Sequence, residues 1–181
     1  ETLEGARDDE RRIRRIELPT IAELRDDALR LGPLLWTERP ESSTFLTVNA
    51  GSGRDRSRDK VMLAHRSKSL PDCLAVLDEL VADFTYIDDV PLPLSLRESG
   101  SIGVTGPGAA GVARAVVYQL AARHSPSELV IAAIVPASAR ADWRWLSWLP
   151  HTSSAQSPVF GGMLADSRSA ASRLLSRIEA L

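Results

Sequence analysis

Ile102-Gly103-Val104-Thr105-Gly106-Pro107-Gly108-Ala109-Ala110-Gly111-Val112-Ala113 is the stretch on which the fold turns. Ser101–Thr105 reads as a short strand, Gly106–Gly111 as a glycine-rich turn, and Val112 to His124 as a helix. Strand, glycine loop and helix in that order are the frame of a phosphate-binding loop, G-x-x-x-x-G-K-[ST]. There, backbone amides cradle the phosphates, the lysine reaches the β and γ oxygens, and the hydroxyl holds magnesium. Gly106 and Gly111 have the right spacing, with Gly108 between them, but Val112 stands where the lysine belongs and Ala113 where the hydroxyl belongs. Without charge neutralisation or a metal ligand, phosphoryl transfer loses its main electrostatic stabilisation. The glycines alone fit two origins, a plain tight turn or a nucleotide site that has lost its chemistry. The flanking strand and helix favour the second.

Working outward, Leu129–Val135 is an apolar run of strand length, the pattern of a strand covered on both faces. It runs into Pro136-Ala137-Ser138, with no acidic residue to hold a metal through water. A tryptophan-rich segment, a serine-rich loop, a strand at Val159–Leu164 and a helix to about Ile178 complete that side. Upstream, alternation at Leu92, Leu94 and Leu96 beside Pro91 and Pro93 predicts an edge strand. Pro71–Phe84 is expected to be helical, burying Leu74, Leu77, Leu80 and Val81, with Cys73 a buried structural thiol. Thr44–Ala50 and Lys60–Ala64 read as short strands around a solvated loop, Gly51 to Arg58, and Asp88-Asp89 as a turn. A helix from Ile21 to about Leu31 follows a charge-dense run from Arg7 to Arg15, expected to be an exposed helix braced by side-chain pairs. The predicted fold is α/β: a P-loop NTPase-like, mostly parallel sheet with flanking helices, preceded by an N-terminal helical segment.

Composition excludes several classes. Hydrophobic residues are 44% and charged residues 25%, so a buried core is affordable and wholesale disorder is not expected. A formal net charge of −2 gives no global field for nucleic acid; Asp8, Asp9 and Glu10 offset the arginines between 11 and 15. One cysteine rules out an internal disulfide, and His65, His124 and His151 are scattered without metal-ligand spacing. No apolar run approaches the roughly 18–20 residues that cross a bilayer. The chain opens at Glu1, with no signal-peptide pattern, and reads as part of a longer polypeptide. Trp143, Trp145 and Trp148 hold three of the four tryptophans. On a helix, Trp145 and Trp148 would share a face, with Trp143 off to another side. The segment reads either as a short helix packed on a sheet edge or as a protein-binding surface, since clustered Trp and Arg anchor interfaces.

Taken in order, several stretches resemble the FtsK/SpoIIIE-type ATPases of bacterial type VII (ESX) secretion, the EccC/EssC family. Leu35-Trp36-Thr37-Glu38-Arg39-Pro40 followed by Thr44-Phe45-Leu46-Thr47-Val48 is similar to that family's "LWERRP…DFL". Val90–Leu96, Gly103–Pro107 and Gln119–Pro126 match the strand before the loop, the decayed loop and the helix end. Asp142 to His151 resembles the "WDWLKWLPH" signature, though Ser147 stands where the family usually has lysine and Thr37 near its usual acid. The resemblance implies a degenerate ATPase-like stalk domain over 33–181, preceded at 1–32 by a helical linker from a membrane-proximal region. It implies no catalytic residue and no cofactor here, with ATP and magnesium in the parent protein's other modules. Expected partners are subunits of the secretion membrane complex, the downstream ATPase modules and further copies of the chain, on the cytoplasmic side of the plasma membrane. A nucleotide-binding regulatory domain and a DNA-translocase-like module stay open as alternatives, the latter resting on Arg11–Arg15 and Arg54–Arg58.

Overall fold

A computed structural model describes residues 3–61, 71–153 and 162–180. In chain order the elements are α1 (Leu3–Glu17), α2 (Ile21–Leu29), β1 (Thr47–Arg56), α3 (Pro71–Phe84), β2 (Tyr86–Ser95), α4 (Leu96–Ser99) and α5 (Ala109–Arg123). Then come β3 (Ala133–Ile134), α6 (Arg140–Trp143), α7 (Pro150–Ser153), β4 (Leu164–Ala165) and α8 (Arg168–Glu179), with 3₁₀ turns at Ala137–Ala139 and Arg144–Trp148. The chain is α/β and forms two compact units, residues 1–20 with 47–102 and residues 21–46 with 103–181. Helix α1 packs on β2, and α2 packs on α5.

The first unit is an antiparallel ribbon, β1 against β2, with Val48, Ile87 and Val90 fully buried. Two bulges bend it: Ala50-Gly51 lie opposite Leu92, and Asp88-Asp89 opposite Arg54. Asp89 takes φ 58° to make the second. The expected turn at Asp88-Asp89 is therefore a bulge inside a strand. The expected loop at 51–58 is strand through Arg56. Its polar composition hid the pairing, because long-range contacts rather than apolar burial hold it. Arg58 pairs with Glu17 at 2.7 Å, and the Arg54 guanidinium lies 5.0 Å from the Tyr86 ring centre.

Helix α1 docks by charge. Arg7, Arg11, Arg14 and Leu18 recur at helical spacing, and Leu18 is buried. Arg7 donates to the carbonyls of Asp83 and Tyr86 and lies over the Phe84 ring, and Arg11 Nε donates to Asp88 O at 3.1 Å. Arg15 pairs with Asp89 at 2.5 Å. Arg14, 3% exposed, bonds Asp55 and Glu10 at 2.7 Å each and the carbonyl of Arg56. Burial pushes the Glu10 carboxyl up, yet hydrogen bonds from Ser57 and the Arg58 amide, with the charge of Arg14, outweigh it and hold it below its ordinary value. Only part of the expected exposed, self-braced helix is present, in the pairs Arg11–Asp8 and Arg12–Asp9.

In α3, Leu80 is exposed, and Leu77 and Val81 are half-buried, so the expected stripe is not core among the described residues. The side chains of Cys73 and Leu74 lie outside the described residues, as do His65 and most of the expected strands at 60–64 and 159–164.

In the second unit, Leu24 of α2 is buried and α2 lies along α5. One core cluster gathers Ala121, Ile131 and Leu146, and another Met163, Ala165 and Leu174. The expected strand at Ser101–Thr105 is irregular backbone. Gly103 contributes no side chain, Val104 is 37% exposed, and nothing pairs with the segment among the described residues. The expected mostly parallel sheet is reduced, among the described residues, to the pair β3–β4 and a single parallel bridge between Glu38 and His124. Leu129–Val135 is extended, but its Ile131 amide donates to the carbonyl of His151 rather than to a strand, leaving two residues of ladder.

Candidate functional site

Gly106 and Gly108 take φ of 94° and 84°, left-handed values that a side chain would strain, and Gly108 caps the start of α5. The Ala109 amide donates to Gly106 O at 3.2 Å, and the Gly111 and Val112 amides to Gly108 O at 2.8 and 3.1 Å. Three of the amides that a working loop would aim at phosphate are thus turned into the local backbone. The Gly111 Cα faces open space in an ordinary helical conformation, so its spacing from Gly106 meets no steric need here. Val112 is 47% exposed and Ala113 half-buried, neither adding charge or a hydroxyl.

The three clustered tryptophans part company. Helix α6 ends at Trp143 and a 3₁₀ turn begins at Arg144, which changes the rotation per residue. Trp143 and Trp145 therefore stack, centroids 6.4 Å apart and planes at 22°, against the Ala121–Ile131–Leu146 cluster. Trp148 is 78% exposed. The expected shared face of Trp145 and Trp148 is not formed.

Residues that sequence spacing did not single out form a dense, buried polar site. Residues 34–46 lie as a strap over the C-terminal end of α5. The last carbonyls of a helix lack internal donors, and here the strap supplies them. Trp36 Nε1 donates to Ala121 O at 3.2 Å, and the Trp36 and Glu38 amides donate to Ala122 O and Arg123 O at 2.9 Å each. Glu38 forms an ion pair with Arg123, both buried, and accepts from Thr44 Oγ1 at 2.8 Å. His124, fully buried, accepts the Leu46 amide at Nε2 over 3.0 Å. That assigns the proton to Nδ1, which donates to Leu120 O at 2.9 Å. His151 Nε2 donates to His124 O at 2.7 Å, and its ring meets Trp36 edge-on. Burial pushes both imidazoles, and the Arg123 guanidinium, below their ordinary values. Nothing in this cluster is a nucleophile or an open metal site; its chemistry is that of a lock. Its residues come from the "LWTERP", "QLAARHS" and "WLPH" stretches, so the scattered histidines of the sequence meet in space.

Among the described residues no helix is long and apolar enough to cross a membrane. No family model matches the chain. It is 34% identical over 125 residues, 66% of its length, to the ESX-4 secretion system protein EccC4 of Mycobacterium tuberculosis. It is 29% identical over 128 residues, 67% of its length, to the ESX secretion system protein EccC of Thermomonospora curvata. Against EccC of Geobacillus thermodenitrificans the identity is 24% over 156 residues, 83% of the chain. The match spans about 10% of the length of each of these relatives.

Proposed function

Because the chain carries an EccC-family domain of the ESX (type VII) secretion systems, we propose that it is a non-catalytic structural and interaction module of a membrane-anchored secretion ATPase. In this reading it keeps the glycine loop and following helix of a P-loop frame and links the membrane complex to the parent protein's ATPase modules, on the cytoplasmic face of the membrane. One observation carries it: Gly106–Ala113 lacks the lysine and hydroxyl, and the Ala109, Gly111 and Val112 amides are spent on the loop's own carbonyls. The binding work falls to exposed side chains, Trp148 first, while Trp143 and Trp145 stack against the core of the second unit. ATP and magnesium belong to other modules of the parent.

The arginine-rich stretches lend little to a nucleic-acid reading, since Arg11, Arg14, Arg15 and Arg58 are engaged with carboxylates of the chain itself. Isothermal titration of the 181-residue chain with Mg-ATP at micromolar nucleotide tests the proposal. No heat of binding is expected; tight, magnesium-dependent binding would overturn it.

A further inference from the structure

Beside β4 lies a groove of about 650 Å³, walled by one edge of the strand and by α8. Its lining includes Gly162, Leu164, Ser172, Arg173, Ser176 and Arg177. In the parallel pair, Ala133 N–H donates to Met163 O at 2.7 Å and Val135 N–H to Ala165 O at 2.9 Å. Backbone groups in such a ladder alternate sides, so Leu164 carries its N–H and C=O on the edge away from β3. That edge is unpaired among the described residues. Arg177 Nη2 donates to the neighbouring Gly162 O at 3.0 Å, which places its guanidinium at one end of the same edge.

The wall opposite is basic and polar. Arg173 is exposed and makes no ion pair among the described residues, unlike Arg11, Arg14 and Arg15 of α1. Asp166, just past β4, is already paired with Arg140. Met163 and Ala165 pack with Leu174 of α8, so Leu164 turns to the other face of β4. A guest strand likewise presents alternate side chains to opposite sides, so one face would meet α8 with its arginines and the other would lie beside the apolar Leu164.

We propose that the β4–α8 groove docks an extended segment of a partner protein by strand addition, with small apolar residues alternating with carboxylates. Main-chain bonds to Leu164 supply the seating, and Arg173 selects the acids. This site is separate from Trp148 and from the glycine loop, so its failure would leave the proposed function standing.

The test is fluorescence anisotropy of the 181-residue chain with a labelled peptide of alternating valine and glutamate, beside a valine–lysine control. The acidic peptide is expected to bind and the lysine peptide not to, with affinity falling as salt rises. Arg173→Glu should weaken binding at least roughly tenfold. Leu164→Pro removes the edge donor while leaving the bonds of Met163 and Ala165 to β3, and should weaken binding similarly with the circular dichroism spectrum unchanged. Equal binding of both peptides, or binding indifferent to Arg173→Glu and Leu164→Pro, would overturn the proposal. So would a concentration-dependent dimer that Leu164→Pro dissolves, since the guest would then be a second copy. A longer chain, continuing past residue 181, that no longer takes the peptide would likewise overturn it, the groove being filled by the chain's own continuation.

Discussion

Single residues carry the difference between a phosphate loop and its frame. Gly108 needs its left-handed φ, whereas Gly111 sits helical in open space. Gly111→Ala is therefore expected to stabilise the chain by about 0.5–1 kcal/mol. Gly108→Ala should destabilise it by about 1–2 kcal/mol, both read from urea midpoints. A loop closed on phosphate would tolerate neither.

His124 and His151 give a pH signature. Burial lowers both imidazoles from 6.5 in the folded chain, so the unfolded chain binds protons first as pH drops. Stability is then full above about pH 6.5 and declines as pH falls from there toward the folded values. Urea midpoints between about pH 7.5 and 5.5 should show the decline, and His124→Gln should flatten it. The glycine spacing and the two substitutions were legible in the sequence because a loop motif is local. The lock was not: Glu38 and Arg123 lie 85 positions apart, and nothing in their spacing announces a pair.

Between elements, the strap and the end of α5 depend on each other. The strap closes the helix's last carbonyls, and Glu38 neutralises the buried Arg123. Glu38→Ala removes the carboxylate that neutralises a buried guanidinium and is expected to cost about 3–5 kcal/mol. The double substitution Glu38→Gln with Arg123→Met should recover much of that loss, measured by the same denaturation. Helices were the readable elements: Pro71–Phe84 starts and stops where its periodicity predicts, and α1, α2, α5 and α8 fall within a few residues of expectation. Strands were less legible for a physical reason. The β1–β2 ribbon is held by arginines of α1 and by two bulges, contacts that leave no alternating apolar trace in Gly51-Ser52-Gly53-Arg54-Asp55-Arg56. The stretch Ser101–Thr105 has the opposite fault, strand-like composition with nothing among the described residues to pair against.

Across the whole molecule, the two units interleave along the chain. A fragment of residues 33–181 would lose α1, and with it Glu10 and Arg14 from the first unit. It would also lose α2, and with it Leu24 from the second. Such a fragment should melt well below the full chain, with amide exchange quickened in β1, β2 and α5. Equal melting of the two would place the folding boundary at 32/33.

Asn49 Nδ2 donates to Leu18 O across 31 positions of sequence, at 3.2 Å. That bond ties off the base of the excursion that carries α2 and the strap. During synthesis, residues 1–20 and 47–102 leave the ribosome before α5 exists, so the ribbon and its docked helix can close first. Looping out the stretch between them costs entropy that grows only slowly with its length. The strap must then wait, tethered at both ends, for residue 124 to emerge. On a nascent chain, 21–46 should therefore stay open to proteases after the ribbon is protected, and close only once the end of α5 has been made.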